Sequence, residues 1–305
     1  TILDAASSPF VFTSDLSVPP GIVLLVEAGV EIYFDGPYKL LNKGTLRVEG
    51  TLGSEVLMST YAASPVSGDW QGISTEGGAA DTRLDYAVIS YAETCLLADE
   101  AVVSVLNTEF SDCQTGIDAY SPVSAIVQDS LFFDNATGLY VSWGAVTVES
   151  SWFDGNTVGL EGGSASTLNI SESMVANSDV GIRPDGATIS HNVLMGNQTA
   201  IETQLSYTTM EYNVIEANVD GITVGGYPTR KVMHYNSFVN NTGYAVIYLG
   251  GYDEGEVDAT ENYWGSAVES DVQAAIWDFY DDASLFTVNY AGYLSSPDPS
   301  TFRSR

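Results

Sequence analysis

A small residue followed by an aliphatic one recurs along the chain at Gly116-Ile117, Gly138-Leu139, Gly159-Leu160, Gly181-Ile182, Ala200-Ile201 and Gly221-Ile222, and Gly243 continues the series. The spacings run from 19 to 22 residues. Three residues before the small residue stands Asn135, Asn156, Asn197, Asn218 or Asn240 in most units, and a second Asn lies earlier, at Asn107, Asn192, Asn213, Asn236 and Asn262. Between the two Asn positions sits a large apolar residue: Phe110, Phe132, Trp152, Met174, Leu194, Ile215 or Phe238. A fixed period this short implies stacked units, none able to bury its own face. The segments between Gly and Asn are rich in Val, Ile, Thr and Tyr, so the units are strands and turns. Two or three short strands per coil, each pairing with its equivalent in the next, give a parallel β-helix.

The turn Asn tolerates left-handed backbone angles. Stacked at about 4.8 Å per coil, its amide can also hydrogen-bond along the column, which is a structural use. Earlier segments alternate at strand period as well, at Leu16–Val18, Val26–Ile32 and Leu46–Leu52. Residues 12–265 then supply roughly a dozen coils, a rod of about 50–60 Å. Beyond Asn262-Tyr-Trp-Gly265, Ser270-Asp-Val-Gln273 reads as a capping box, and Val272, Ala275, Ile276 and Phe279 follow at helical spacing. The expected organisation is one domain over 1–294. Its first coils and N-terminal cap fill 1–35, regular coils 85–265 and a short capping helix 266–294, with 295–305 as a tail or linker.

Several stretches resemble the secreted right-handed parallel β-helix proteins, the group that includes pectate lyase-like folds and many bacterial and archaeal surface proteins. The run from Leu16-Ser-Val18-Pro-Pro-Gly21 to Gly29-Val30, the Gly50-Thr-Leu52 turn and Asp69-Trp70-Gln-Gly72-Ile73 look like that surface branch's opening coils. Asn262-Tyr-Trp-Gly265 and the segment ending Asp278-Phe-Tyr-Asp-Asp282 look like its close. The resemblance implies an all-β, right-handed parallel β-helix solenoid. For function it implies little, because the fold carries lyases, hydrolases, epimerases, adhesins and inert stalks.

Charge narrows the partners. Asp and Glu number 40 against 9 Lys and Arg, a formal charge of −31. Nucleic acid and anionic lipid would be repelled, and no segment has the length of a membrane span. The chain begins at Thr1 without Met, which fits removal of an upstream segment. The expected location is extracellular or at the cell surface. Cys95 and Cys113 occupy different slots of adjacent coils, which favours two buried small residues over a disulfide.

Lyases of the resembled group pair a calcium site with an Arg or Lys base. Candidate bases here are Arg83, Arg183, Arg230 and Lys231, none within a lyase motif. The hydrolases' His-Gly and Arg-x-Lys are both absent. Asp112, Asp134 and Asp154 fall near one place in three coils, and Asp253, Glu256 and Asp258 share a loop. Either group suggests structural Ca²⁺, which takes six to eight oxygen ligands. Neither has a defined calcium-loop spacing, so a plain solvated acidic surface is the simpler reading. His191, Tyr212, Tyr235 and Glu261 each stand beside the first Asn of a unit and form one column. This is an aromatic strip for sugar rings or, more simply, a surface column packing on itself. The expected function is a non-catalytic structural or adhesive module that binds polysaccharide, or other copies of itself, on a cell surface or in a matrix. A calcium-dependent polysaccharide lyase or glycoside hydrolase is the alternative.

Overall fold

The computed structural model describes residues 1–203, 205–252 and 255–301. The chain divides into two compact units, 1–157 and 158–305. In each, successive coils contribute strands to three sheets, and among the described residues the strands pair in parallel. Within the first unit the sheets hold seven, seven and six strands; within the second they hold six, four and six. Those strands make up the roughly dozen coils that the repeat predicts.

One coil shows how the sequence sets the path. Asp81–Asp85 lies in the first sheet, Ala87–Ser90 in the second and Thr94–Asp99 in the third, after which Val102–Leu106 returns to the first sheet beside Asp81–Asp85. Alternate residues point inward, so Thr82, Leu84, Ile89, Leu96 and Ala98 are all buried. Inside each unit, like stacks on like. Phe110, Phe132 and Phe153 form a column with ring centres 5.0 and 4.3 Å apart, and Phe238 stacks on Trp264 at 4.9 Å in the second unit.

The repeat glycines serve close approach between coils. A Cβ on Gly159 would come 2.5 Å from the Gly181 carbonyl oxygen, and one on Gly116 would come 2.4 Å from that of Gly138. These glycines sit inside strands, where only a small residue leaves room for the neighbouring backbone. In the last full coil the equivalent residue is Ala245, because Ile222 pairs with Val246; Gly243, expected in that slot, lies two residues earlier.

Left-handed backbone is needed one residue before the ladder slot, which holds Asn in most coils and Cys113 or Ser178 in two. Asp112, Asp134 and Gly155 occupy that corner in the first unit, and Asn177, Gly196, Ala217 and Asn240 occupy it in the second, all with φ between +53° and +68°. Asn135 Nδ2 donates to Asn156 Oδ1 at 3.1 Å, and Asn197 donates to Asn218 at 3.0 Å. Asn218 then donates to Asn241 at 3.2 Å, so Asn241 and not Asn240 ends that ladder. A second ladder runs Asn192, Asn213, Asn236, Asn262. Asn107 stands outside it, at φ +47°, and gives its amide to Asp85.

Two further expectations change. Cys95 and Cys113 form a disulfide, 18 residues apart in sequence, with both residues buried. The corner between the second and third sheets closes the gap that their unequal slots implied. The expected C-terminal helix is confined to Glu269–Ala274, begins before Ser270 and has no side-chain cap, so the capping box does not form. Ile276–Trp277 instead pairs with Val246–Ile247, because unsatisfied backbone groups of the last coil compete successfully for those residues. Residues 295–301 turn back, and Thr301 is buried with its hydroxyl on the Tyr235 carbonyl at 3.3 Å.

Candidate functional site

His191, Tyr212, Tyr235 and Glu261 occupy the corner between the first and second sheets of the second unit, each in left-handed conformation at φ +57° to +59°. The Asn that follows each one locks the turn, which is why bulky residues persist in a strained backbone region. The rings stack at 5.1 Å (His191–Tyr212) and 5.0 Å (Tyr212–Tyr235), within 18° of parallel. The Tyr235 hydroxyl donates to the Glu261 carboxylate, and that bond, reinforced by the negative charge, pushes its pKa up to about 12. Each ring thus gives a face to its neighbour, and Tyr212 gives both.

Beside this column, His234 Nε2 lies 3.0 Å from both Asp258 Oδ1 and Thr260 Oγ1. Burial opposes the Asp258 charge, but the hydrogen bonds from His234 and Thr260 hold its pKa below the usual carboxylate range. Glu256 accepts from the Thr287 hydroxyl at 2.9 Å; Asp253 lies outside the described residues.

In the first unit, Asp112 and Asp134 stack, but Asp154 is in register with Phe133 and Ser111, and Gly155 holds the third corner position. Burial and then the neighbouring Asp134 charge raise the Asp112 pKa, against a hydrogen bond from Tyr91. Among the described residues, no three His, Cys, Asp or Glu side chains converge as a metal cage requires.

The lyase-type bases are engaged. Arg183 bonds Glu202 at 3.0 Å and reaches Glu161 at 3.4 Å. Arg83 faces Asp85 at 3.8 Å. Lys231 is fully buried, with its ammonium on the Ser206 carbonyl.

Arg230 behaves differently. Its guanidinium carbon lies 4.0 Å from the centre of the Tyr227 ring and 5.3 Å from that of Tyr207. Tyr252 packs against Tyr227 with ring centres 5.6 Å apart. The three tyrosines come from successive third-to-first-sheet loops of the second unit, and Tyr207 and Tyr252 are 73% and 76% exposed. The result is a ledge of exposed aromatic side chains around one cation that lies over two of the three rings, a rare use of exposed aromatic area. Sequence reading flagged only Arg230 here. The missed signal is Gly-Gly-Tyr, present at Gly225-Gly226-Tyr227 and Gly250-Gly251-Tyr252, with Gly226 paired to Gly251.

Among solved structures, the chain is similar to the A-module of the Azotobacter vinelandii mannuronan C-5 epimerase AlgE6. The match has 14% identity and a TM-score of 0.56 and covers 91% of each chain. It supports a shared right-handed parallel β-solenoid fold. Tailspike protein 3 of bacteriophage CBA120 matches at 13% identity over 93% of this chain and 55% of its own, with a TM-score of 0.43. An alginate lyase from Paenibacillus sp. str. FPU-7 matches at 15% over 82% and 95%, with a TM-score of 0.32. These two are too distant to carry an argument. No curated protein matches the chain. Among the described residues no helix is long and apolar enough to cross a membrane. The family model described as "Periplasmic copper-binding protein (NosD)" matches residues 71–274, most of the sequence, and the chain therefore belongs to the NosD family of β-helix proteins.

Proposed function

We propose that this protein is a non-catalytic module acting outside the cytoplasm, which binds glycan on the Tyr207–Tyr227–Arg230–Tyr252 ledge. The observation that carries the reading is the pair of tyrosines left about three-quarters exposed beside a guanidinium that lies over the Tyr227 and Tyr207 rings. Sugar C–H faces stack on aromatic rings, and a rigid ring loses little entropy on binding. The family's periplasmic description and the Cys95–Cys113 disulfide both fit an oxidising, extracytoplasmic compartment. The His191–Tyr212–Tyr235 column supports this role less well, since its rings face each other.

The lyase reading needs a free base beside a carboxylate group, whereas Arg183 is clamped by two glutamates, Lys231 is buried and Arg230 lies against tyrosine rings; the hydrolase reading needs two carboxylates at glycosidase separation. Among the described residues, the cysteines and histidines do not converge as a site for copper, the metal named in the family description, would require. Both cysteines are bonded to each other, His191 is stacked in a ring column, and His234 is hydrogen-bonded to Asp258 and Thr260. Soft-metal sites are built from thiolate, thioether and imidazole ligands converging on one point.

Affinity electrophoresis through gels containing soluble polysaccharides tests the proposal. Wild-type protein is retarded by at least one glycan, and Tyr207→Ala and Tyr252→Ala run as in plain gel. Equal retardation of wild type and both variants refutes the assignment of the ledge. Concentration-dependent self-association without glycan retardation favours assembly of copies instead.

A further inference from the structure

Resting on that reading of the ledge, we infer that its ligand is a mostly neutral glycan bearing isolated carboxylates, and that dense polyuronates are excluded. The local argument starts from where the cations go. Lys39 and Lys43 share Glu76, Arg47 holds Asp81, Arg83 faces Asp85, and Arg183 lies between Glu161 and Glu202. Arg230 lies against tyrosine rings, and among the described residues its hydrogen bond is a 3.4 Å contact from Nη1 to the Leu205 carbonyl. Among the described residues it has no ion-pair partner, in a chain with 40 carboxylates. Its remaining donors form a planar fork matched to a carboxylate. The Tyr227 ring, 4.0 Å from the guanidinium carbon, and the Tyr207 ring at 5.3 Å restrict the fork, so less freedom is lost when a ligand docks.

The long-range argument sets the limit. With a charge of −31, the surface carries a negative potential that one guanidinium offsets only within about 8 Å at physiological salt. A single carboxylate against Arg230 is inside that range. A polyuronate brings further carboxylates beyond that range, where the negative field of the chain repels each one. Tyr207 and Tyr252 meanwhile offer uncharged faces for the flanking neutral sugars.

The test compares neutral xylan, sparsely substituted glucuronoxylan and polygalacturonate by calorimetry at physiological ionic strength, with circular dichroism confirming that each variant is folded. The expected order is glucuronoxylan about tenfold tighter than xylan, the difference worth one charge-assisted hydrogen-bond pair, and polygalacturonate unbound. Arg230→Gln equalises glucuronoxylan and xylan, while Tyr207→Ala and Tyr252→Ala abolish binding of both. If Arg230→Gln keeps the preference, or polygalacturonate binds best, the ligand class is wrong while the tyrosine variants still uphold the site. If the tyrosine variants bind as wild type, or none of the three glycans binds, the site assignment falls with it.

Discussion

Asn213 donates its side-chain amide to Asn236 Oδ1 over 2.9 Å, and its own Oδ1 accepts both the amide side chain and the backbone N–H of Asn192. One side chain therefore serves three coils, since Nδ2 also donates to the Ile189 carbonyl at 2.8 Å. Removing it strands buried donors and acceptors on both neighbours. Asn213→Ala is expected to lower stability by about 2–4 kcal/mol, read as a lower urea midpoint. A loss below about 0.5 kcal/mol, the range of ordinary surface changes, would mean that the ladder is ornamental.

The glycine column makes a contrasting prediction. A Cβ on Gly159 meets backbone 2.5 Å away, whereas Gly21, at φ +77°, has nothing within 4 Å. Gly21→Ala is expected to cost about 1–2 kcal/mol, the penalty for a left-handed L-residue. Gly159→Ala pushes coils apart and costs more than that, with Gly159→Val failing to accumulate as soluble protein. Equal effects of the two alanine variants on the thermal midpoint would contradict the close-approach account.

Much of this framework is legible in the sequence because the coils that repeat most regularly place a small residue and a ladder Asn in fixed slots. What is hard to read is register where coils change length. Asn218 reaches Asn241 across 23 residues while Asn197 reaches Asn218 across 21, so counting by the regular period selects Asn240, which in fact takes the left-handed corner. The same one-residue slip puts Asp154 beside Phe133 and hands the corner to Gly155. The ledge is hardest of all. Tyr207, Tyr227 and Tyr252 lie in loops of unequal length, outside the periodic positions, and only the three-dimensional stack brings them to one Arg230.

The disulfide closes a loop of 18 residues between adjacent coils. Cys95→Ser with Cys113→Ser is expected to cost about 3 kcal/mol, the loop-entropy value for a closure of this length. Reduction by dithiothreitol should lower the wild-type urea midpoint and leave the double variant unchanged. A wild-type midpoint indifferent to reductant would show that the bridge adds no stability.

Tyr235 donates to Glu261, and its pKa is pushed up to about 12. A raised folded-state pKa means that the folded chain keeps the proton longer than the unfolded one. The resulting stabilisation is complete below the ordinary tyrosine value near 10 and is lost as pH rises through about 12. Ultraviolet titration, taken as the difference between wild type and Tyr235→Phe, should place this phenol near 12. Glu261→Gln should return it toward 10. An identical difference curve with and without Glu261 would contradict the assignment.

The most direct measurement follows binding and chemistry together on a panel of neutral and acidic polysaccharides, with calcium and with chelator. The account predicts retention of wild-type protein on a glycan, loss of that retention in Tyr207→Ala and Tyr252→Ala, and no unsaturated products or new reducing ends from any substrate. Product from even one polysaccharide would contradict it, and would move the chemistry to the arginine and carboxylate groups that the present reading leaves structural.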